Sequence, residues 1–229
     1  MGKIIYLGGY KMNLQNEKEP VVNVAKWFLQ NNSSIDSDSG DGNLKLQKLL
    51  YYAQCMYISV FDTTLYPNAI EAWENGPVVR EAYTEYRHND LGTIARKEEP
   101  IKLDAFKEDV LRVVNIIYGA KSATELIELT HAEGPWKDLR ELAEKRCDPI
   151  ITVNAIKNYY KECFRDIFNA FREYVVKEYQ YRSGNNIFIY QEGTNLTDDD
   201  KKSIDDIAYD MNNQTLFVSK DKDGGLVIY

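Results

Sequence analysis

The pattern of apolar and polar positions predicts a chain that is helical in its middle and has short strands at both ends. Leu46, Leu49 and Ala53 are spaced at i, i+3 and i+7, so they share one face of a helix. We expect this helix to begin after a cap at Asn43 and to run to about Phe61. Polar residues fill most of its remaining positions, which is typical of an amphipathic helix.

Similar signals along the chain predict the remaining elements. Further helices are expected at residues 21–30, 78–88, 104–118, 122–130, 153 to about 178 and 197–211, with one more that ends at Lys145. Pro77 suits the first turn of the helix at 78–88. Ser122 and Glu125 have the S-x-x-E spacing of a capping box, and Thr152 is the expected cap of the helix that begins at residue 153. Strands are expected at residues 3–7, 69–73 and 186–191, and a hairpin joins 216–218 to 226–229. The polar stretches 31–43 and 89–100 are predicted loops.

These elements define the expected fold class and domains. The class is mainly α, and the strands at the two ends are expected to pair in one small antiparallel sheet, because chain ends often lie close together. Residues 1–20 form an N-terminal strand and connector, residues 21–180 a helical domain, and residues 185–229 a C-terminal strand–helix–hairpin extension.

Two adjacent tyrosines on the helix that is predicted to end at about Phe61 suggest a groove. Tyr51 and Tyr52 point about 100° apart on a helix, so both cannot lie at the centre of one buried face. We therefore expect one of them to be partly exposed at the edge of the core, where it would form a groove wall.

Charge and cysteine content narrow the functional classes. The 229 residues carry a net charge of −8, which disfavours direct nucleic-acid binding, because phosphate contacts need clustered Lys and Arg. A basic protein partner suits this charge, although an acidic balance is also ordinary for soluble proteins.

Cys55, Cys147 and Cys163 are widely spaced, as expected for reduced thiols in a cytoplasmic protein. No apolar run reaches the ~18 residues of a membrane span.

Candidate catalytic chemistry is sparse. The sequence has no glycine-rich nucleotide motif, no G-x-S-x-G and no CxxC pair, and the acidic loop that begins at Asp36 departs from the EF-hand pattern. We therefore expect no cofactor and no metal. One enzyme alternative is a hydrolase or transferase that uses His131 with Glu133 or Asp138. The favoured interpretation is that His131 orients the turn at residues 134–136.

Four motifs in order resemble a known family. They are VAKWFL, LKLQKLLYYAQ, AWENGPV with Tyr83 downstream, and ELTHAEGPW, and together they cover roughly residues 21–174. This series resembles the Panacea domain, also called the SocA-like or GepA-like domain of antitoxins and phage proteins. The resemblance implies a mainly helical domain that neutralises a toxin by direct, stoichiometric contact and has no enzymatic activity. One branch resembles an adaptor that delivers its toxin to a AAA+ protease, and an alternative role is a prophage-encoded inhibitor of a host enzyme.

The same resemblance implies candidate residues for contact with a protein partner. They are Lys45, Lys48, Tyr51, Tyr52, Gln54, Trp73, Val78, Tyr83, His131 and Trp136. The sequence leaves open whether they form a binding surface or the framework of the domain. The residues favoured as framework are Leu46, Leu49, Gly76 and Pro77, and those favoured as contacts are Lys48, Tyr52, Gln54 and Trp73.

Overall fold

The computed structural model describes residues 3–7, 10–14, 18–35, 39–175, 178–191, 194, 196–211, 214–221 and 224–228. The chain divides into two compact units, Met1–Asn169 and Ala170–Tyr229. Among the helices of the described residues, none is long and apolar enough to cross a membrane.

The first unit holds most of the helices. The helices are α1 (Val21–Asn31), α2 (Gly40–Phe61), α3 (Arg80–His88), α4 (Leu91–Lys97), α5 (Ala105–Tyr118), α6 (Ala123–Ala132), α7 (Gly134–Lys137), α8 (Arg140–Glu144) and α9 (Val153–Val175), which extends past the boundary. The strands are β1 (Lys3–Leu7), β2 (Tyr10–Leu14), β3 (Ile70–Trp73), β4 (Gly76–Val78) and β5 (Ile150–Ile151). The mainly α class is confirmed.

Helix α2 lies at the centre of the first unit. It packs against α1, α3, α5, α6 and β4. Every residue from Lys45 to Phe61 is buried, so the helix has no solvent-facing side over this length. The expectation of a partly exposed tyrosine is wrong, because Tyr51 and Tyr52 are only 1% and 0% exposed.

The start of α2 also differs from the prediction. Ser39 is the cap, because its Oγ accepts a hydrogen bond from the Gly42 amide at 3.0 Å. The expected cap, Asn43, instead lies inside the helix and accepts a hydrogen bond from Gln47 Nε2. The first residues of the predicted acidic loop, 36–38, lie outside the described residues.

The hairpin β3–β4 follows α2 and is closed by a two-residue turn. Its strands are antiparallel, and Trp73 pairs with Gly76. Pro77 was expected in the first turn of a helix, but it lies in β4, an edge strand of the sheet β4–β3–β5, where a missing N–H is tolerated. Helix α3 therefore begins later, at Arg80, and the predicted loop 89–100 contains the short helix α4.

Several caps match the sequence signals. Ser122 and Glu125 form a capping box at α6, and Thr152 Oγ1 accepts from the Ala155 amide at 3.1 Å in the first turn of α9. Helices α7 and α8 replace the single helix that was expected to end at Lys145.

The two chain ends form separate sheets, so the expected joint sheet is wrong. Strand β1 pairs with β2, which falls in the segment predicted as a connector. The second unit consists of β6 (Glu178–Ser183), β7 (Asn186–Gln191), α10 (Asp198–Ala208), β8 (Thr215–Lys220) and β9 (Leu226–Ile228). Its sheet has the order β6–β7–β8–β9, and the β7–β8 pair is parallel.

The core of the second unit lies between α10 and this sheet. Phe188, Ile204, Ala208 and Val218 are buried together there. The predicted hairpin of β8 and β9 is confirmed, and so is the helix after Thr197. Strand β6 was missed, because the helix predicted to reach residue 178 ends at Val175.

The central position of α2 predicts a large cost for shortening its apolar side chains. Leu49 is fully buried, so Leu49→Ala should lower the free energy of unfolding by about 2–5 kcal/mol. Leu142→Ala is the matched control, because Leu142 is 45% exposed and its loss leaves no internal cavity. Urea unfolding of both variants measures the difference, and equal costs would contradict the packing described here.

Candidate functional site

The polar side chains of α2 point inward and hold the segments that surround it. Gln54 donates from Nε2 to the Tyr66 carbonyl at 3.0 Å, and its Oε1 accepts from the Leu65 amide at 2.7 Å. Gln47 Oε1 accepts from the Val79 amide at 2.8 Å. These glutamines therefore satisfy backbone groups of connecting segments that would otherwise be buried without partners.

Lys48 is the point where three of the sequence motifs meet. Its side chain is fully buried, and Nζ donates to the Pro77 carbonyl at 3.2 Å. A Cβ added at Gly76 would lie 2.6 Å from Lys48 Cε and 2.9 Å from Thr130 Oγ1. Burial lowers the pKa of Lys48 to about 7. The lysine thus packs under the β3–β4 hairpin and against α6.

The two tyrosines of α2 belong to a buried phenol–carboxylate network. Tyr52 donates to Glu133 Oε2 at 3.0 Å, and Tyr160 donates to the same oxygen. The Tyr51 and Tyr160 hydroxyls lie 3.2 Å apart. Burial raises the pKa of the Glu133 carboxyl, and the two phenols that donate to it oppose this rise. Tyr160, which reaches this network from α9, lies outside the motifs that the sequence analysis singled out.

His131 packs on an aromatic ring beside this network. Its ring stacks on Trp136 with centroids 3.6 Å apart, and Trp136 Nε1 donates to the Trp73 carbonyl at 2.9 Å. Within the described part of the chain, His131 Nε2 is buried and has no hydrogen-bond partner. Burial, together with the charges of Lys48 and Arg140, lowers the pKa of His131 to about 4. The ring is therefore neutral near pH 7 and is a weak base.

Most of the predicted contact residues lie below the surface. The buried ones, each at most 5% exposed, are Lys45, Lys48, Tyr51, Tyr52, Gln54, Val78 and Trp136. Those that are half-buried are Trp73, Tyr83 and His131. This placement favours a framework role for the seven buried residues, because a partner could touch them only if the domain opened. The expected contact role of Trp73 and Tyr83 stays a prediction.

A surface groove of about 500 Å³ lies over the hairpin and the start of α2. Its lining includes Leu44 from α2, Trp73 and Val78 from the hairpin, and Tyr83 from α3. Leu44, Trp73 and Tyr83 are half-buried, and Val78 is only 3% exposed. The groove therefore combines two partly exposed aromatic rings with buried residues, of which Val78 is apolar and Asn43 and Gln47 are polar.

Two arginines flank a pair of aromatic rings along this groove. The Arg80 guanidinium lies 5.1 Å from the Trp73 ring, the Trp73 and Tyr83 rings are 5.0 Å apart, and the Arg87 guanidinium is 6.0 Å from the Tyr83 ring. We call these four residues the arginine–aromatic row. Contacts of this kind add cation–π attraction to apolar burial. The sequence motifs pointed to Trp73 and Tyr83 but not to either arginine.

Ion pairs fix two of the three groove arginines. Arg80 bonds Glu71 and lies 3.1 Å from an Asp148 oxygen. Arg146 lies 3.2 Å from Glu74. Within the described residues, no group of three or more His, Cys, Asp or Glu side chains could hold a metal ion.

Comparison with known families finds a match for the part of the chain that carries most of these features. Residues 46–137 match the family model described as antitoxin SocA-like, Panacea domain. This segment is similar to the Panacea domain, and it covers less than half of the chain. The match is shorter than the expected span of residues 21–174, and Lys45 lies just outside it. No curated protein and no solved structure shows a significant match to the chain.

The buried Lys48 of the matched segment should make stability depend on pH. In the unfolded chain Lys48 keeps its proton up to its ordinary pKa of 10.5, whereas the folded protein releases it above about 7. The free energy of unfolding should therefore rise from pH 7 to 9, by at most about 1.4 kcal/mol per pH unit from this residue. Lys48→Met should lack this contribution, whereas the exposed control Lys161→Met should retain it. Urea unfolding at several pH values measures both slopes, and equal slopes for all three proteins would contradict the assignment.

Gly76 should tolerate no side chain. Its φ is +97°, and an added Cβ would meet Lys48 and Thr130, so Gly76→Ala should cost about 2–4 kcal/mol of stability. Gly40→Ala is the control in the same unit, because nothing lies within 4 Å of an added Cβ there. Thermal unfolding compares the variants, and a Gly76→Ala protein as stable as Gly40→Ala would refute the close packing.

Proposed function

We propose that this chain is a cytoplasmic, antitoxin-like protein-binding module that neutralises a toxin or other effector by direct, stoichiometric contact. The Panacea match supports the antitoxin-like role. The observation that carries the choice of surface is the arginine–aromatic row, because Trp, Tyr and Arg dominate the binding energy of protein interfaces.

The positions of the row residues suit such a surface. Trp73 and Tyr83 are half-buried, so each ring is held in place by its own domain and still exposes area to a partner. Arg80 is fixed by Glu71 and Asp148, so its side chain would lose little additional freedom on binding. A surface that is ordered before binding gains affinity for this reason.

The surroundings of His131 and Glu133 argue against the enzyme alternative. The enzyme alternative needs His131 as a base, but burial lowers the pKa of His131 to about 4. Its proposed partner Glu133 accepts hydrogen bonds from Tyr52 and Tyr160 instead. We therefore infer that these groups stabilise the domain, and we keep delivery to a AAA+ protease and inhibition of a host enzyme as finer versions of the binding role.

Copurification tests this proposal. The tagged chain should retain the product of an adjacent toxin reading frame as a stable complex when both are expressed together. Tyr83→Ala should weaken the complex by about 2 kcal/mol, roughly thirty-fold in Kd, because it removes a central ring of the row. Tyr209→Ala is the matched control, since Tyr209 is 90% exposed and belongs to the second unit.

Two outcomes would count against the proposal. Growth rescue without any physical complex would exclude stoichiometric contact as the mechanism. A complex that is equally tight with Tyr83→Ala and Tyr209→Ala would remove the groove as its surface.

A further inference from the structure

The arginine–aromatic row ends on a cation that has no carboxylate partner within the described residues. We propose that the groove recognises a protein segment in which an acidic side chain stands beside a large apolar one. The carboxylate would bind Arg87, and the apolar side chain would pack on Trp73 and Tyr83. This inference rests on the proposed binding function and adds the chemistry of the partner segment.

The pairing of the groove arginines singles out Arg87. Arg80 and Arg146 each have a carboxylate partner, as described above. Arg87 Nη1 instead donates to the Tyr83 hydroxyl at 3.0 Å. This bond positions the guanidinium over the groove without neutralising its charge.

The geometry of a guanidinium favours a carboxylate at this place. Arg presents five N–H donors in a planar fork, and only one donor of Arg87 is used by Tyr83. The remaining donors can bind both oxygens of a carboxylate, which is a stronger arrangement than a hydrogen bond between neutral groups. The exposed position of Arg87 leaves it accessible to such a group.

The apolar part of the segment follows from the neighbouring walls. Trp73, Tyr83 and Leu44 line the groove beside Arg87, and all three are half-buried. Covering their exposed area with an aromatic or aliphatic side chain would remove apolar surface from water. A partner segment with one large apolar side chain next to one acidic side chain would therefore contact both the aromatic rings and Arg87.

Charge favours a peptide over a nucleic acid as the occupant. Asp41, Glu74 and Asp148 also line the groove, and the whole chain carries a net charge of −8. A nucleic acid would place a row of phosphates against these carboxylates, whereas a peptide needs to place only one carboxylate, at Arg87. Asp41 lies in the first turn of α2, where the helix dipole offsets part of its charge.

Peptide selection tests the inference without knowledge of the partner. A phage library of random peptides, about twelve residues long, is panned on the intact chain, and the enriched sequences should combine Asp or Glu with Trp, Phe or Leu a few residues away. A synthetic peptide from this set should bind Arg87→Glu at least ten-fold more weakly than the wild-type chain. Lys161→Glu makes the same charge change at an exposed helical position and should leave affinity unchanged.

A charge exchange separates direct contact from a general effect of charge. Replacing the acidic residue of the peptide with Lys should abolish binding to the wild-type chain and restore binding to Arg87→Glu. Circular dichroism of each variant checks that the fold is retained. Enriched peptides without an acidic preference, or equal binding by Arg87→Glu, would overturn the inference.

Three further outcomes would separate the groove chemistry from the toxin-binding role. Tighter binding of a single-stranded oligothymidine than of the peptide to the wild-type chain, with oligothymidine binding lost in Arg87→Glu, would show that the groove prefers nucleic acid and would overturn the proposal. Selection of acidic peptides together with failed copurification would leave the groove chemistry standing and remove the toxin-binding role. Copurification of the toxin without selection of acidic peptides would support the toxin-binding role and overturn the proposed groove chemistry.

Discussion

The fold depends on the burial of α2 on all sides. A helix with one exposed face can leave its polar side chains in water, but α2 has no such face between Lys45 and Phe61. Each polar group on it must therefore find a partner inside the protein or carry a desolvation cost. Gln47, Lys48 and Gln54 find theirs in the backbone of the segments that wrap the helix.

This requirement links the buried framework to the surface groove. Gln47 and Lys48 bond the end of the β3–β4 hairpin, at Val79 and Pro77. The same hairpin carries Trp73, whose carbonyl is held by Trp136 Nε1 from the other side. The hairpin is thus fixed at both strands. The Trp73 ring itself is held by a further hydrogen bond, from its Nε1 to Glu71 Oε2 at 2.7 Å.

The sequence predicted those features that depend on local contacts. Caps at Ser122 and Thr152, the strand ending at Trp73 and the β8–β9 hairpin are decided by a few neighbouring residues. The surroundings of α2 could not be predicted in this way. Its leucines indicated one apolar face, and the polar Lys45, Lys48 and Gln54 were expected to contact a protein partner, because periodicity does not show that another element covers the opposite face.

The arginine–aromatic row escaped prediction for a related reason. Trp73 lies in β3, and its contacts with Arg80 and Tyr83 arise only when β3 is folded beside α3. Spacing within one element cannot indicate these contacts. Tyr83 and Arg87, in contrast, stand at i and i+4 on α3, so spacing within the predicted helix could have indicated that pair. The separate sheets at the chain ends were missed similarly. Strand β1 pairs with β2, which was predicted as part of a connector, and β7 pairs with β6, which was not predicted as a strand.

The division between framework and surface governs how mutations in the first unit should be interpreted. Removing one partner of a buried polar pair leaves the other unsatisfied, so its cost includes desolvation as well as the lost bond. Substitutions at Lys48, Gln54 or Tyr52 therefore act first on folding, and a loss of binding in such variants does not identify a contact. Arg87, in contrast, is exposed, and its described hydrogen bond is to the Tyr83 hydroxyl at the groove surface. A change there leaves the buried network intact, so its effect on a complex reports on recognition itself.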